Sequence, residues 1–278
     1  MARNGDVDLA VHDWGGGGAP LLWVHATGFC ARVWDRVVAA VPGRHNFGYD
    51  QRGHGDSSKP TDPDAYAWEN YAGDCLAVLD ELGIARTDAV GHSSGGATLV
   101  LAAAAAPERF GRLVLMEPIV FPPLPPEVPR QANPMAEGAR RRRMDFASRE
   151  DLVERLGSKP PMNTWDRRVL EDYAAHGACD VDGGIRLKCP GSIEAEMYDH
   201  GPRHRGWDIL PEVRSETLLL HGGGRGGDPD PGELPAQYWP MLAERMPNCT
   251  LRAVPGAGHF APMEAPEAFA ALVLEFLG

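Results

Sequence analysis

A serine at the junction of two regular segments is the residue in this chain best placed to act as a nucleophile. Ser93 lies in residues 91–95, whose sequence is GHSSG, directly after the apolar run 87–90. An Ala-rich run at 97–106 follows, so the pattern predicts a strand, a tight turn and a helix. The flanking glycines leave room for the turn, and the helix N-terminus supplies free backbone N–H groups where an anion would develop. A hydroxyl alone is a poor nucleophile, so this segment requires a base and an acid that orients the base.

The elements around this turn alternate between strands and helices. Apolar runs at 21–24, 87–90 and 112–116 predict buried strands, 45–49 predicts a weaker one, and 7–11 predicts a half-buried edge strand. Apolar stripes at 33–41 and 68–82 predict helices between them. This order predicts a mostly parallel sheet with helices on both faces, whose site is built from loops at the carboxyl ends of the strands. Four residues that could take part in a reaction lie at those ends: Thr27, Asp50, Ser93 and Glu117.

The alternation stops after the strand at 112–116. Residues 121–129 are proline-rich, which predicts a stiff linker, and helical patterns without a buried-strand run continue to about residue 206. The predicted helices are 135–147, 149–156, 165–176 and 192–200, and the run of four arginines at 140–143 predicts a solvated helix face or a patch for an anionic substrate. The core resumes with strands at 217–220 and 250–254 and helices at 238–246 and 266–277. The domain prediction is therefore a core of residues 1–120 and 211–278 with a helical cap, or lid, inserted at 121–210.

Composition and charge narrow the classes of partner. The chain has 278 residues with 27 Lys and Arg against 39 Asp and Glu, a net charge of −12, which disfavours nucleic acid and anionic membrane surfaces. The five cysteines are scattered without Cys-x-x-Cys spacing, so neither a disulfide framework nor a metal site is expected. No signal peptide or transmembrane run is visible, which predicts a cytoplasmic protein. The expected partner is a small-molecule substrate, and no cofactor is expected. The oligomeric state is not predicted.

Four ordered motifs give the chain a resemblance to the α/β-hydrolase-fold superfamily. They are HATGF at 25–29, QRGHGDS at 51–57, GHSSGG at 91–96 and GAGH at 256–259. The resemblance covers nearly the whole chain and implies an α/β-hydrolase fold, in which a mostly parallel doubly wound sheet carries an inserted helical cap. In that family the catalytic residues follow in the order serine, acid, histidine. The resemblance thus implies Ser93 as the nucleophile and His259, in a Gly-rich loop after a strand, as the base.

The acid is left open at this point. The family position after the strand at 217–220 falls near Arg225, and Asp228, three residues later, is the preferred acid. Some relatives carry the acid at the end of the strand after the nucleophile helix instead, which is the place of Glu117. Asp230 is the third alternative. Any of these carboxylates could fix the histidine tautomer and stabilise the imidazolium.

Two backbone N–H groups are expected to form the oxyanion hole. Ser94 directly follows the nucleophile, and Thr27 resembles the residue that provides the second donor in the family. Three other histidines are weaker candidates for chemistry. His92 adjoins the nucleophile but should point away from it, His25 should shape the oxyanion loop, and His54 resembles a structural residue.

These residues predict a serine hydrolase that forms an acyl-enzyme on Ser93. Carboxylic esters are the preferred substrates, with lactones, thioesters and the carbon–carbon bonds of diketones as alternatives. A cofactor-free perhydrolase or oxygenase of the same fold is a further alternative among enzymes. A non-catalytic ligand-binding protein on the same fold is the alternative from a different class, since fold alone does not determine function.

Overall fold

The computed structural model describes residues 1–123, 133–201, 205–224 and 237–278. Its strands, in chain order, are β1 (Ala2–Asn4), β2 (Val7–Leu9), β3 (Val11–Gly15), β4 (Pro20–Val24), β5 (His45–Tyr49), β6 (Thr87–His92), β7 (Phe110–Met116), β8 (Asp145–Phe146), β9 (Ala178–Val181), β10 (Gly184–Leu187), β11 (Glu216–Gly222) and β12 (Cys249–Val254). Its α-helices are α1 (Asp35–Ala39), α2 (Trp68–Glu81), α3 (Ser94–Ala105), α4 (Pro134–Arg140), α5 (Arg149–Gly157), α6 (Arg167–His176), α7 (Gly191–His200), α8 (Gly206–Ile209), α9 (Tyr238–Glu244), α10 (Ala261–Glu264) and α11 (Pro266–Leu277).

Seven strands form the central sheet in the order β12-β11-β7-β6-β4-β5-β3. All neighbouring pairs are parallel except β3 with β5. The predicted edge strand at 7–11 was wrong as a single unit, because β2 pairs with β1 in a separate two-stranded sheet and β3 joins the central one. The strand is interrupted at Ala10, whose N–H donates to Ser57 Oγ and whose carbonyl accepts from Asp50 N.

Each buried strand contributes side chains to both faces of the sheet. Along β4, Leu22 and Val24 pack in the core beneath α2, α3 and α9, whereas Leu21 and Trp23 pack with α1 and α11. This alternation with period two is what a pleated strand buried on both faces requires. The predicted two-sided α/β architecture is therefore present, and it brings the carboxyl ends of β4, β6, β7 and β11 to one edge.

The segment between β7 and β11 contains helices α4–α8, as the sequence predicted in outline, and also a small sheet. Strands β8, β10 and β9 form an antiparallel sheet that the helical pattern did not reveal. The predicted helix at 135–147 was too long, since α4 ends at Arg140. After α4 the chain leaves the helix, and Arg142 forms an ion pair with Glu194 of α7. Phe146 is buried and pairs with Ile185 of β10.

Helix α3 packs unusually close to the strands that precede it. A Cβ atom on Gly95 would lie 2.2 Å from the Val24 carbonyl oxygen, and one on Gly91 would lie 2.7 Å from the Gly95 carbonyl carbon. Glycine is therefore required at both positions by close backbone approach. This contact fixes where the β6–α3 turn, and with it Ser93, stands above the sheet edge.

Candidate active site

Ser93 occupies the sharp turn between β6 and α3 that the sequence predicted. Its backbone has φ 53° and ψ −112°, a left-handed conformation that costs a non-glycine residue free energy. Two hydrogen bonds hold that conformation, from Ser93 N to the Met116 carbonyl at 2.9 Å and from Ile119 N to the Ser93 carbonyl at 3.2 Å. The N-terminus of α3 begins at the next residue, so its positive end faces the serine.

Among the described residues, Glu117 is the carboxylate that contacts His259. The distance from His259 Nδ1 to Glu117 Oε2 is 2.7 Å, and Glu117 Oε1 accepts a 2.7 Å hydrogen bond from Gly222 N. Glu117 is 5% exposed, and its own N–H donates to the Leu220 carbonyl. The carboxylate is therefore held at the ends of β7 and β11, facing the loop that carries the histidine.

The preferred acid of the sequence analysis, Asp228, and the third alternative, Asp230, lie outside the described residues. The structure gives the His259 contact to Glu117, which the sequence had placed second. The physical reason is register, since β6 and β7 are parallel neighbours with His92 opposite Met116. The residue after Met116 therefore emerges beside the residue after His92, which is Ser93.

Backbone strain marks the same two positions. Among the described residues, Ser93 and Glu117 are the non-glycine residues with positive φ, at 53° and 42°. Strained backbone persists where the surroundings over-determine it, and it concentrates at functional sites. Here the two strained residues end adjacent strands and face one histidine loop.

The loop that carries His259 is anchored by a residue that the sequence analysis had set aside. His92 is fully buried at the end of β6, and its Nε2 lies 2.8 Å from the His259 carbonyl oxygen. The two imidazole rings have centroids 4.9 Å apart at an interplanar angle of 48°. Within the described residues, Ser93 Oγ and the His259 ring do not form a hydrogen bond. Catalytic hydrogen bonds of this kind often form only when the substrate is bound.

The predicted oxyanion-hole donors follow the ends of two adjacent strands, since Thr27 comes after β4 and Ser94 after β6, and Val24 pairs with Gly91. Thr27 and Ser94 are both buried, and neither backbone N–H has an acceptor within the described part of the chain. Gln51 links their two segments, because its side-chain amide donates to the His25 carbonyl at 2.7 Å and accepts from Thr98 Oγ1 of α3 at 3.0 Å. The sequence analysis missed this role for Gln51, although its place two residues after the end of β5 was the available signal.

Two buried histidines frame the Thr27 loop in fixed neutral tautomers. His25 Nδ1 contacts the Ala26 carbonyl while its Nε2 accepts from Gln51 N, and His54 Nδ1 contacts the Arg52 carbonyl while its Nε2 accepts from Gly28 N. Burial lowers the pKa of both imidazoles, for His54 to about 3. Both imidazole rings are thus neutral, and their hydrogen bonds connect the Thr27 loop to the segment at 51–54.

Side chains from the segment between β7 and β11 contact the same loop. Tyr173 OH donates to the Gly28 carbonyl at 3.1 Å, and the Arg142–Glu194 ion pair lies against the Gly28 Cα. A Cβ on Gly28 would approach Glu194 Oε1 to 3.1 Å, and Gly28 has φ +85°. Burial acts to lower the pKa of Arg142, but neighbouring Tyr173 and Glu194 raise it overall. The arginine run is therefore divided, and Arg142 is a half-buried member of an ion pair rather than part of a solvated face.

Six apolar residues are candidates from the sequence to line a cavity beneath the cap, and the structure separates them into several groups: Phe29, Trp34, Phe121, Met135, Trp165 and Trp207. Phe29 and Trp165 have ring centroids 5.1 Å apart, and both contact Phe260, the residue after His259. Phe121 and Trp207 instead pack on Tyr238, Trp34 is in the core, and Met135 is 57% exposed. Phe29 and Trp165 are therefore the apolar neighbours of the histidine loop.

Neither a metal centre nor a membrane span emerges from the part of the chain that is described. No group of three or more His, Cys, Asp and Glu side chains there is arranged to hold a metal ion. None of the described helices is both long and apolar enough to cross a bilayer.

Comparisons with known proteins agree with this architecture. A family model described as the alpha/beta hydrolase family matches residues 21–272. The 2-hydroxy-6-oxononadienedioate/2-hydroxy-6-oxononatrienedioate hydrolase of Cupriavidus pinatubonensis is 27% identical, covering 99% of this chain and 93% of the relative. The enzyme of the same name from Burkholderia vietnamiensis is 30% identical, covering 97% and 91%.

A solved structure confirms the fold. The crystal structure of E-2-(acetamidomethylene)succinate hydrolase superposes with a TM-score of 0.81 at 22% identity, covering 100% of this chain and 98% of that one. At this identity the likeness shows the fold alone. The predicted α/β-hydrolase fold is confirmed.

Proposed function

Since this chain belongs to the alpha/beta hydrolase family, we propose that it is a serine hydrolase that cleaves a carbon–carbon bond beside a ketone in a small unsaturated oxo acid. The observation that carries the catalytic part is the 2.7 Å contact between His259 Nδ1 and Glu117 Oε2, beside the strained Ser93 turn. We assign Ser93 as nucleophile, His259 as general base and Glu117 as the acid that orients it. The backbone N–H groups of Thr27 and Ser94 form the oxyanion hole.

The relatives support the choice of bond. Two of them are named for hydrolysis of 2-hydroxy-6-oxononadienedioate, a compound that contains no ester, amide or anhydride linkage. Its hydrolysis must therefore break a carbon–carbon bond beside the 6-oxo group. The sequence analysis preferred esters and held this bond as an alternative, and the relatives favour the alternative.

The proposed residues can account for each step of such a reaction. With Nδ1–H donating to Glu117, the lone pair of His259 is on Nε2, where it can accept the Ser93 proton. Ser93 Oγ attacks the ketone, and the resulting oxyanion accepts hydrogen bonds from Thr27 N and Ser94 N. The carbon–carbon bond then breaks. This step requires the 2-oxo tautomer of the substrate, which forms when the 2-hydroxyl group loses its proton and C5 gains one. The departing C5 then leaves as a dienolate conjugated with the 2-oxo group and takes the proton from the His259 imidazolium.

The second half of the reaction regenerates the enzyme. Water gives a proton to His259 and attacks the acyl group on Ser93, which releases a carboxylic acid and restores the serine hydroxyl. Esters pass through the same acyl-enzyme, so the residues alone do not separate the two activities. We further propose that residues 121–210 act as a cap, because Tyr173, Arg142 and Glu194 contact Gly28 beside the oxyanion hole.

The test measures the bond preference and the nucleophile together. Wild-type enzyme is expected to hydrolyse 2-hydroxy-6-oxononadienedioate with a kcat/KM at least about tenfold above that for p-nitrophenyl acetate, a difference of ~1.4 kcal/mol in activation free energy. A fluorophosphonate probe should label the wild type and the surface control Ser158→Ala equally. Ser93→Ala should lose labelling and both activities. Faster ester turnover would overturn the bond assignment, and wild-type enzyme that resists the probe would overturn the serine mechanism.

A further inference from the structure

Among the described residues, His92 is the buried histidine that contacts the loop of the proposed base directly. It precedes Ser93 at the end of β6 and is fully buried. Its Nε2 lies 2.8 Å from the backbone oxygen of His259, and its ring lies 5.8 Å, edge to face, from Phe260. The strand that presents the nucleophile therefore also holds the backbone of the residue that must deprotonate it.

The partner of His92 determines its protonation. A carbonyl oxygen only accepts hydrogen bonds, so Nε2 carries the proton and donates it to the His259 carbonyl. The other ring nitrogen, Nδ1, is buried and has no hydrogen-bond partner among the described residues. Burial and the neighbouring His259 ring lower the pKa of His92 well below its ordinary value. His92 is thus a neutral donor in one tautomer, which adds no like charge when His259 becomes an imidazolium.

The contacts of His259 divide into two kinds. Glu117 holds the side chain through Nδ1 and thereby sets its tautomer and rotation. His92 holds the main chain and thereby limits where the whole residue can stand relative to Ser93. The loop at 255–260 is glycine-rich, and the N–H of Gly258 within it donates to Glu264 Oε2. The hydrogen bond from His92 connects this loop to the nucleophile strand β6.

We propose that His92 is a positioning residue for catalysis, which fixes the His259 backbone at the distance from Ser93 that proton transfer requires. This inference rests on the proposed function, in which His259 is the general base. A 1 Å displacement of a reacting group can cost about 100-fold in rate, so the loss of one backbone tether at this place should be visible in kcat. Substrate binding should change little, because His92 is enclosed and does not reach the substrate.

The test compares two substitutions of similar size. His92→Leu removes the donor and also the unpartnered Nδ1, so the fold should be kept, whereas His92→Gln retains an N–H donor of similar reach. We expect His92→Leu to slow fluorophosphonate labelling of Ser93 and to lower kcat by roughly 10- to 100-fold, with KM nearly unchanged. His92→Gln should recover most of both rates. His176→Leu, the same exchange at the end of α6, is the matched control, and thermal melting confirms folding of each variant.

The outcomes separate this inference from the proposed function. Wild-type enzyme that is not labelled at all would remove the serine mechanism itself. Labelled wild type with an equally reactive His92→Leu variant would overturn the positioning role alone. Equal losses in a folded His92→Leu and a folded His92→Gln would also overturn it, because the role then would not depend on the donated hydrogen bond.

Discussion

The contact between Glu117 and His259 is the decisive feature at the scale of single residues. The Glu117 carboxylate accepts two hydrogen bonds, one at Oε2 from the imidazole of His259 and one at Oε1 from Gly222 N. The second bond fixes the carboxylate plane, and the first then fixes which nitrogen of His259 carries the proton. An acid in this position leaves the basic lone pair on the ring atom opposite, which is the arrangement that serine activation needs.

Glu117→Gln tests this arrangement with little change in shape. The amide can still accept from Gly222 N, but its NH₂ group would donate to Nδ1 and favour the wrong tautomer of His259. We expect kcat to fall roughly 1,000-fold or more with KM little changed, as measured by steady-state kinetics. Asp228→Asn is the comparator and should retain activity. The reverse result, loss in Asp228→Asn with an active Glu117→Gln, would contradict the assignment of Glu117.

At the scale of elements, the β6–α3 unit determines where the nucleophile stands. Helix α3 is composed mostly of small and apolar residues that are buried almost throughout, since the sheet covers one side of it and α2 and α8 pack against other sides. Gly95 permits its first turn to approach β4 closely, and this turn presents the Ser94 N–H beside the site. The strain at Ser93 is thus sustained by packing of the flanking helix and strand.

Gly95→Ala is expected to disrupt this unit. The new methyl group would lie 2.2 Å from the Val24 carbonyl oxygen, a backbone atom inside the sheet that cannot move aside easily. The free energy of unfolding, measured by urea titration, should fall by about 3 kcal/mol or more. Gly138→Ala in α4 meets open space and should instead raise it by about 0.5–1 kcal/mol. A Gly95→Ala protein as stable as wild type would refute the close packing of α3 on β4.

For the whole molecule, the buried neutral histidines predict sensitivity to acid. The folded state holds the pKa of His54 at about 3, with burial as the main cause, while an unfolded histidine titrates near 6.5. Between these values the unfolded chain binds a proton that the folded chain does not. The stability is therefore full above about pH 6.5 and is lost as the pH falls towards 3.

A single substitution should reduce this dependence. Each such histidine contributes a slope of up to about 1.4 kcal/mol per pH unit to the free energy of unfolding. His54→Gln removes one titrating group, so its stability curve, measured by urea unfolding from about pH 7.5 down to about pH 4, should be flatter than that of wild type. Parallel curves for the two proteins would show that His54 is not held neutral in the folded state.

Much of this architecture could be predicted from local patterns. Apolar runs of strand length predicted β4, β5 and β6, because burial on both sheet faces produces runs that are visible in the sequence. The last helix was also predicted at its observed bounds. The tight turn at Ser93 followed from its glycines. The small sheet β8-β10-β9 was missed, since strands of two to four residues carry too few side chains for a period to appear.

The sequence by itself determined the candidate nucleophile, the candidate base and the two-sided core, because each depends on residues that are neighbours along the chain. Only the tertiary structure shows that Glu117 and His92 both contact His259. Glu117 and His259 are 142 positions apart, and His92 and His259 are 167 apart. Such pairs are brought together by the parallel register of β6, β7, β11 and β12. The sequence could name Glu117 as a candidate from its place at a strand end, but no local pattern shows which distant residues come into contact.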